Sequence, residues 1–76
     1  MRGLYRNIEI TKIEPNGRSI YDSDSIDEMV ESIRTNGQVE PIRIWFAGRH
    51  FRIMDGEKRW RACKRLGMGT TKAVIV

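Results

Sequence analysis

Asp55–Gly67 reads DGEKRWRACKRLG, and the structure assigned to its neighbours depends on how it is read. Asp55-Gly56 breaks the β-type run before it, while Gly67 and Gly69 stop whatever follows, so a helix is expected from about Glu57 to Leu66. The preceding segment, FRIM (Phe51–Met54), reads as a strand. A strand–glycine–helix junction results. The first turn of any helix leaves backbone N–H groups without intrahelical partners and concentrates roughly half a positive charge there. A glycine at the junction lets an anion approach the backbone closely. Yet Lys58 and Arg59 occupy that same first turn, where the helix dipole disfavours cations unless an anion neutralises both. This conflict with a local rule points to a site. The alternative is that Glu57 complements the dipole and the cations form a solvated face.

The periodicity of this helix separates two basic surfaces. Arg59, Ala62, Cys63 and Leu66 share one face, so Arg59 is expected on the inner side beside the junction. Lys58, Arg61 and Arg65 form an outer stripe, open to DNA or to water. Trp60 flanks the inner face and is expected to pack, as is Cys63.

Upstream, EPIRIWF (Glu40–Phe46) alternates as a strand, with Ile42, Ile44 and Phe46 on one side and Arg43 and Trp45 on the other. AGRH (Ala47–His50) is a hairpin connection to FRIM. Before it, Ile26, Met29, Val30 and Ile33 make an apolar stripe at helical spacing. Ser25 and Glu28 have the spacing of a capping box at the entrance of that helix, and Asn36-Gly37 supplies its left-handed stop. NIEITKI (Asn7–Ile13) reads as an opening strand, EPNGRSIYDSD (14–24) as a loop, and TKAVIV (Thr71–Val76) as a closing β-branched strand. The order β-α-β-β-α-β describes an α+β domain, a mixed sheet backed by two helices.

The chain has 76 residues, 39% hydrophobic and 32% charged, with a formal charge of +4. Such a composition fits one small globular domain, and the basic balance favours polyanionic partners. No apolar run approaches the ~20 residues of a membrane span, and MRGLYRNIEI lacks the apolar region of a signal peptide. A cytoplasmic protein is expected, nucleoid-associated if it binds DNA. Cys63 and His50 are the sole cysteine and histidine, which excludes an internal disulfide and a cysteine-cluster zinc site.

VESIRTNGQVEPIRI (Val30–Ile44), followed by DGEKRWRACKRLG, resembles the N-terminal domain of the ParB/sulfiredoxin superfamily. Ser32-Ile33, Gly37 and Glu40-Pro41-Ile42 match its first element. Gly56-Glu57-Lys58-Arg59-Trp60-Arg61-Ala62 matches its GERRxRA box, with Lys58 in place of the first arginine. IEPNGRSI (Ile13–Ile20) looks like the superfamily's proline–arginine loop, which adds Arg18 to the pocket. The resemblance spans about Ile8 to Val76. It implies a nucleoside triphosphate site, CTP or ATP with Mg²⁺, formed by Gly56, Glu57, Lys58, Arg59 and Arg18, with Gly37 and Gln38 shaping the base or ribose side. Glu57 becomes a candidate catalytic base or magnesium-orienting group. The rival readings are a direct DNA-binding module using Lys58, Arg61, Lys64 and Arg65, and a small kinase or nuclease of the same superfamily. Sulfiredoxin chemistry is not expected: the position after the box glycine, where sulfiredoxin carries its cysteine, is Glu57. The partition branch continues into a helix-turn-helix and a dimerisation domain that 76 residues do not hold. The chain therefore corresponds to the N-terminal domain alone, whole or as part of a longer protein, and a homodimer stays open.

Overall fold

The computed structural model describes residues 4–15 and 23–76. In chain order the elements are β1 (Leu4–Glu9), a 3-10 turn (Ile10–Lys12), β2 (Ile13–Glu14), α1 (Ser23–Asn36), β3 (Ile42–Phe46), β4 (Phe51–Asp55), α2 (Glu57–Arg65) and β5 (Thr70–Ile75). The five strands form one mixed sheet in the order β1-β5-β3-β4-β2. β1 is antiparallel to β5, β5 parallel to β3, β3 antiparallel to β4, and β4 parallel to β2.

Asn7–Ile13 is not the single strand its alternation suggests. The chain pairs with β5 up to Glu9, turns through Ile10–Lys12, and resumes as β2 at the opposite edge of the sheet. Five flat strands would separate those edges by roughly 19 Å, whereas a three-residue 3-10 turn advances only about 2 Å per residue. The sheet therefore curls until its two edges are consecutive parts of one bent strand. Ile10 and Ile13, which flank the bend, are buried, and the amide of Ile10 is held by the Gly69 carbonyl at 3.0 Å.

Both helices pack their apolar stripes into the same core. Ile26, Val30 and Ile33 of α1 join Trp60, Ala62 and Cys63 of α2 over Ile42, Ile44, Ile53 and Ala73 from the sheet, with Met29 and Leu66 at the margin. Gly37 ends α1 at φ 76°, its amide bonding the Ile33 carbonyl at 2.8 Å. The entrance of α1 differs from the sequence reading. Ser25 lies inside the helix, which already runs from Ser23. Its hydroxyl instead receives a hydrogen bond from Lys58 Nζ at 2.8 Å, so the Ser25–Glu28 spacing belongs to an interior turn. Phe46 also departs from expectation. It is 56% exposed at the end of β3, where the curl carries it past the core, and it meets Phe51 edge-on with centroids 5.4 Å apart.

Candidate phosphate-binding site

The strand–glycine–helix junction is present as read. β4 ends at Asp55, Gly56 is the N-cap of α2 at φ 99°, and no side chain caps the helix there. Gly56 is wedged: a Cβ at this position would come within 2.9 Å of Ile42 Cγ2 and 3.2 Å of Arg59 Nη1. The guanidinium of Arg59 thus lies over the glycine, one turn into the helix. Its Nη2 is 3.6 Å from Glu40 Oε2, in the loop that leads into β3.

Two small cavities of about 180 Å³ each meet at this residue. One is lined by Met29, Asp55, Gly56, Glu57, Lys58 and Arg59. The other includes Ser32, Gly37, Gln38, Val39 and Glu40, again with Met29 and Arg59. The two motifs that are far apart in sequence, Ser32–Ile42 and Gly56–Arg59, are therefore brought together, with the Arg59 side chain as a shared wall. Arg18 lies outside the described residues.

Glu57 and Gln38 have structural duties at the same place. Glu57 is 3% exposed and holds Arg61, whose Nη2 and Nε lie 2.7 and 2.9 Å from Oε2. The Gln38 side chain is buried and points at β5 instead of outward. Its Nε2 donates to the carbonyls of Lys72 (2.9 Å) and Glu40 (3.1 Å), while Oε1 accepts from the Lys72 amide (2.7 Å) and the Thr71 hydroxyl (2.9 Å). The amide behaves as one more residue of β3, closing the β5 backbone where β3 has not yet begun. No periodicity in the sequence signals this use, because it depends on where a loop side chain points.

The outer stripe of α2 is engaged within the chain. Lys58 reaches Ser25, Arg61 binds Glu57, Lys64 Nζ sits 5.0 Å from the Trp60 ring centroid, and Arg65 pairs with Asp27. Each cation read as DNA-binding thus has an intramolecular partner. Cys63 is fully buried, and burial pushes its thiol up from the ordinary value against a smaller lowering from the Thr71 hydroxyl. A thiol held protonated is a poor nucleophile. Among the described residues no three His, Cys, Asp or Glu side chains cluster as metal ligands, and no helix is long and apolar enough to cross a membrane.

Residues 2–76 match the family model described as "ParB N-terminal domain". The chain belongs to the ParB N-terminal domain family. A nucleoid occlusion protein of Geobacillus kaustophilus is 39% identical over 74 residues, covering 92% of this chain but 26% of that protein. This ParB-family chain therefore spans about a quarter of the length of such relatives. Among solved structures, the C-terminally truncated chromosome-partitioning protein ParB of Caulobacter crescentus complexed with CTP-gamma-S superposes with a TM-score of 0.87 at 26% identity, over 97% of this chain and 44% of that one. The same protein complexed to the centromeric parS site gives 0.82 at 28%, over 93% and 40%. Sulfiredoxin of Arabidopsis thaliana gives 0.83 at 25%, over 96% and 84%. The ParB/sulfiredoxin fold is thus shared, with its curled sheet and paired helices.

Proposed function

We propose that this chain is the nucleoside triphosphate-binding domain of a ParB-type protein acting at the nucleoid, with CTP the first candidate and ATP the second. The observation that carries this reading is Arg59 lying over the left-handed Gly56 at the N-terminus of α2, between two cavities built from the two family motifs. The Gly56 cradle turns the chain tightly against Ile42 into α2, so that phosphate oxygens would meet the backbone N–H groups of the first turn at the positive end of the α2 dipole. Arg59 supplies a planar donor to those oxygens, and Lys58 at the mouth of the same cavity adds charge. Gly37 and Ser32 offer the polar wall for the sugar or base, with Gln38 holding that wall to β5. Mg²⁺ would supply charge neutralisation between phosphates. Asp55 lines the Gly56 cavity and is the carboxylate that would hold the ion there, and phosphate oxygens and water complete a magnesium shell in such sites. Glu57, anchored on Arg61, orients this first turn and is the candidate base for hydrolysis. The Caulobacter relative with CTP-gamma-S supports CTP over ATP, and the same protein complexed to the centromeric parS site supports DNA as a partner of the longer protein.

Calorimetric titration of the 76-residue chain with CTP and ATP in magnesium tests this. Charge-assisted hydrogen bonds contribute about 1.5–3 kcal/mol, so Arg59→Ala is expected to weaken the preferred nucleotide by roughly 10- to 100-fold. Equal affinity in the variant, or no heat with either nucleotide, ends the proposal.

Glu40 makes a second, opposite prediction. Its carboxylate stands against Arg59 at 3.6 Å, where an anion would sit, beside the wall between the cavities. A nucleotide must displace it. Partly exposed ion pairs contribute about 0.2–1 kcal/mol, so Glu40→Gln should tighten triphosphate binding roughly two- to fivefold. Weaker binding in that variant would show that Glu40 contacts the ligand or its metal instead.

A further inference from the structure

Both helices lie on one side of the curled sheet, and among the described residues no helix lies on the other side. Alternation along the four longer strands places Tyr5, Lys72, Arg43, Trp45, Arg52 and Met54 on that outer face, all exposed. Tyr5 is 65% and Trp45 42% exposed, unusually high for large aromatic side chains on strands of a small domain. The register orders them. Tyr5, Val74 and Arg43 form one row across β1, β5 and β3, and Trp45 stands two residues further along β3, opposite Arg52 on β4. Strand spacing puts Tyr5 and Trp45 roughly 12 Å apart, with Arg43 between them. Among the described residues the side chains of Arg43 and Lys72 meet no carboxylate. The acids on this side are marginal and already matched: Glu9 faces Lys12 at 3.6 Å, and Glu14 faces His50 at 2.7 Å and Arg52 at 3.4 Å. Asp55 stands opposite Arg43 in the β3–β4 register and lines the cavity at Gly56, with no ion pair between the two side chains.

We infer that the outer face of the sheet binds single-stranded nucleic acid, bases stacking on Trp45 and Tyr5 while Arg43, Lys72 and Arg52 hold the backbone. Arg43 and Lys72 without an ion-pair partner, beside exposed rings and the exposed Arg52, give the composition of a strand-tracking platform. A second copy of this chain fits poorly, because two such faces would bring three cations each into one interface. A duplex fits poorly too, since its paired bases present no free surface to a ring on a convex sheet. This face is separate from the Gly56 cavity and from the cations of α2.

The test is fluorescence anisotropy of the 76-residue chain with a short labelled oligothymidylate, compared with a duplex of the same length. The single strand should bind, with the duplex at least about tenfold weaker. Stacking on one ring is lost in Trp45→Ala, which should weaken binding by about tenfold, while Trp45→Phe keeps most of the affinity. Arg43→Ala should lower the slope of log affinity against log salt by about 0.7, one phosphate contact on a single strand. These side chains are exposed, so unchanged circular dichroism accompanies both losses. Arg59→Ala should leave the affinity unchanged, which separates this face from the nucleotide site. The inference is overturned by absent binding, by Trp45→Ala binding like the parent, by binding that is lost only in Lys64→Ala and Arg65→Ala, or by a protein dimer that Trp45→Ala dissociates without any effect of oligonucleotide.

Discussion

Replacing Gly56 with alanine is expected to lower the stability of the fold by about 2–5 kcal/mol and to abolish triphosphate binding. Two separate costs add at this position. The backbone sits at φ 99°, beyond the left-handed region that an L-residue tolerates, a strain of order 1–2 kcal/mol. The new methyl would then meet Ile42 Cγ2 at 2.9 Å and Ile42 Cβ at 3.1 Å. Ile42 is fully buried, so it has no room to retreat, and overpacking of this kind costs about 1–3 kcal/mol. For a domain of this size each kcal/mol moves the melting temperature by roughly 4–8 °C. A fall of about 8–40 °C follows. Gly48 provides the internal control. It has nearly the same backbone angle, φ 101°, but nothing within 4 Å of its hypothetical Cβ, so Gly48→Ala should show only the strain. If thermal denaturation finds the two variants equally affected, the contact with Ile42 carries no weight. If Gly56→Ala still binds nucleotide when folded at low temperature, the cradle is not where phosphate sits.

The same position shows why part of this molecule was legible before its structure. Helix stripes and stops are local: Ile26, Val30 and Ile33 must share a face at 3.6 residues per turn, and Gly37 and Gly67 must stop a helix because other residues resist φ near 75°. The junction at Gly56 is equally local, and the two motifs fixed the family. What escaped were features set by distant partners. Asn7–Ile13 alternates like one strand, but nothing in the alternation says that the sheet curls and splits it between two edges. Ser25 and Glu28 have capping spacing, yet the helix runs on past them toward the N-terminus, and Lys58, 33 residues away, claims the hydroxyl. Lys58 and Arg65 read as part of a free stripe because their partners Ser25 and Asp27 lie on α1 and meet them only in the folded helix pair. The site followed the same division. The glycine junction and the inner position of Arg59 were readable, whereas Glu40 as the partner of Arg59 was not.

Gln38 carries the second large effect, through hydrogen bonds that cannot be remade elsewhere. A neutral amide offers two N–H donors and one oxygen with two lone pairs, and all four places are filled by Lys72, Thr71 and Glu40. Replacement by leucine preserves bulk but strands the amide and carbonyl of Lys72 and the Thr71 hydroxyl in a region only 4% exposed at Gln38 and 1% at Thr71. Each buried group left unpaired costs about 1–3 kcal/mol, so Gln38→Leu should lose about 3–5 kcal/mol in urea denaturation, enough to unfold much of a domain this small. Gln38→Glu gives the sharper result, because it changes charge and donor capacity without changing shape. An ionised carboxylate would still accept from Lys72 and Thr71 but would face the carbonyl oxygens of Lys72 and Glu40 with no proton to offer. Burial and those carbonyls both favour the protonated acid, which raises its folded pKa above the unfolded value of about 4.3. A raised folded pKa means the stability is present below that unfolded value and is lost as pH climbs through the folded one. Relative to the parent chain, Gln38→Glu should be least impaired near pH 4 and most impaired at neutral pH. A parallel pH profile for the two proteins would mean that the amide donates nothing to β5, and the strand-like role of this side chain would fall with it.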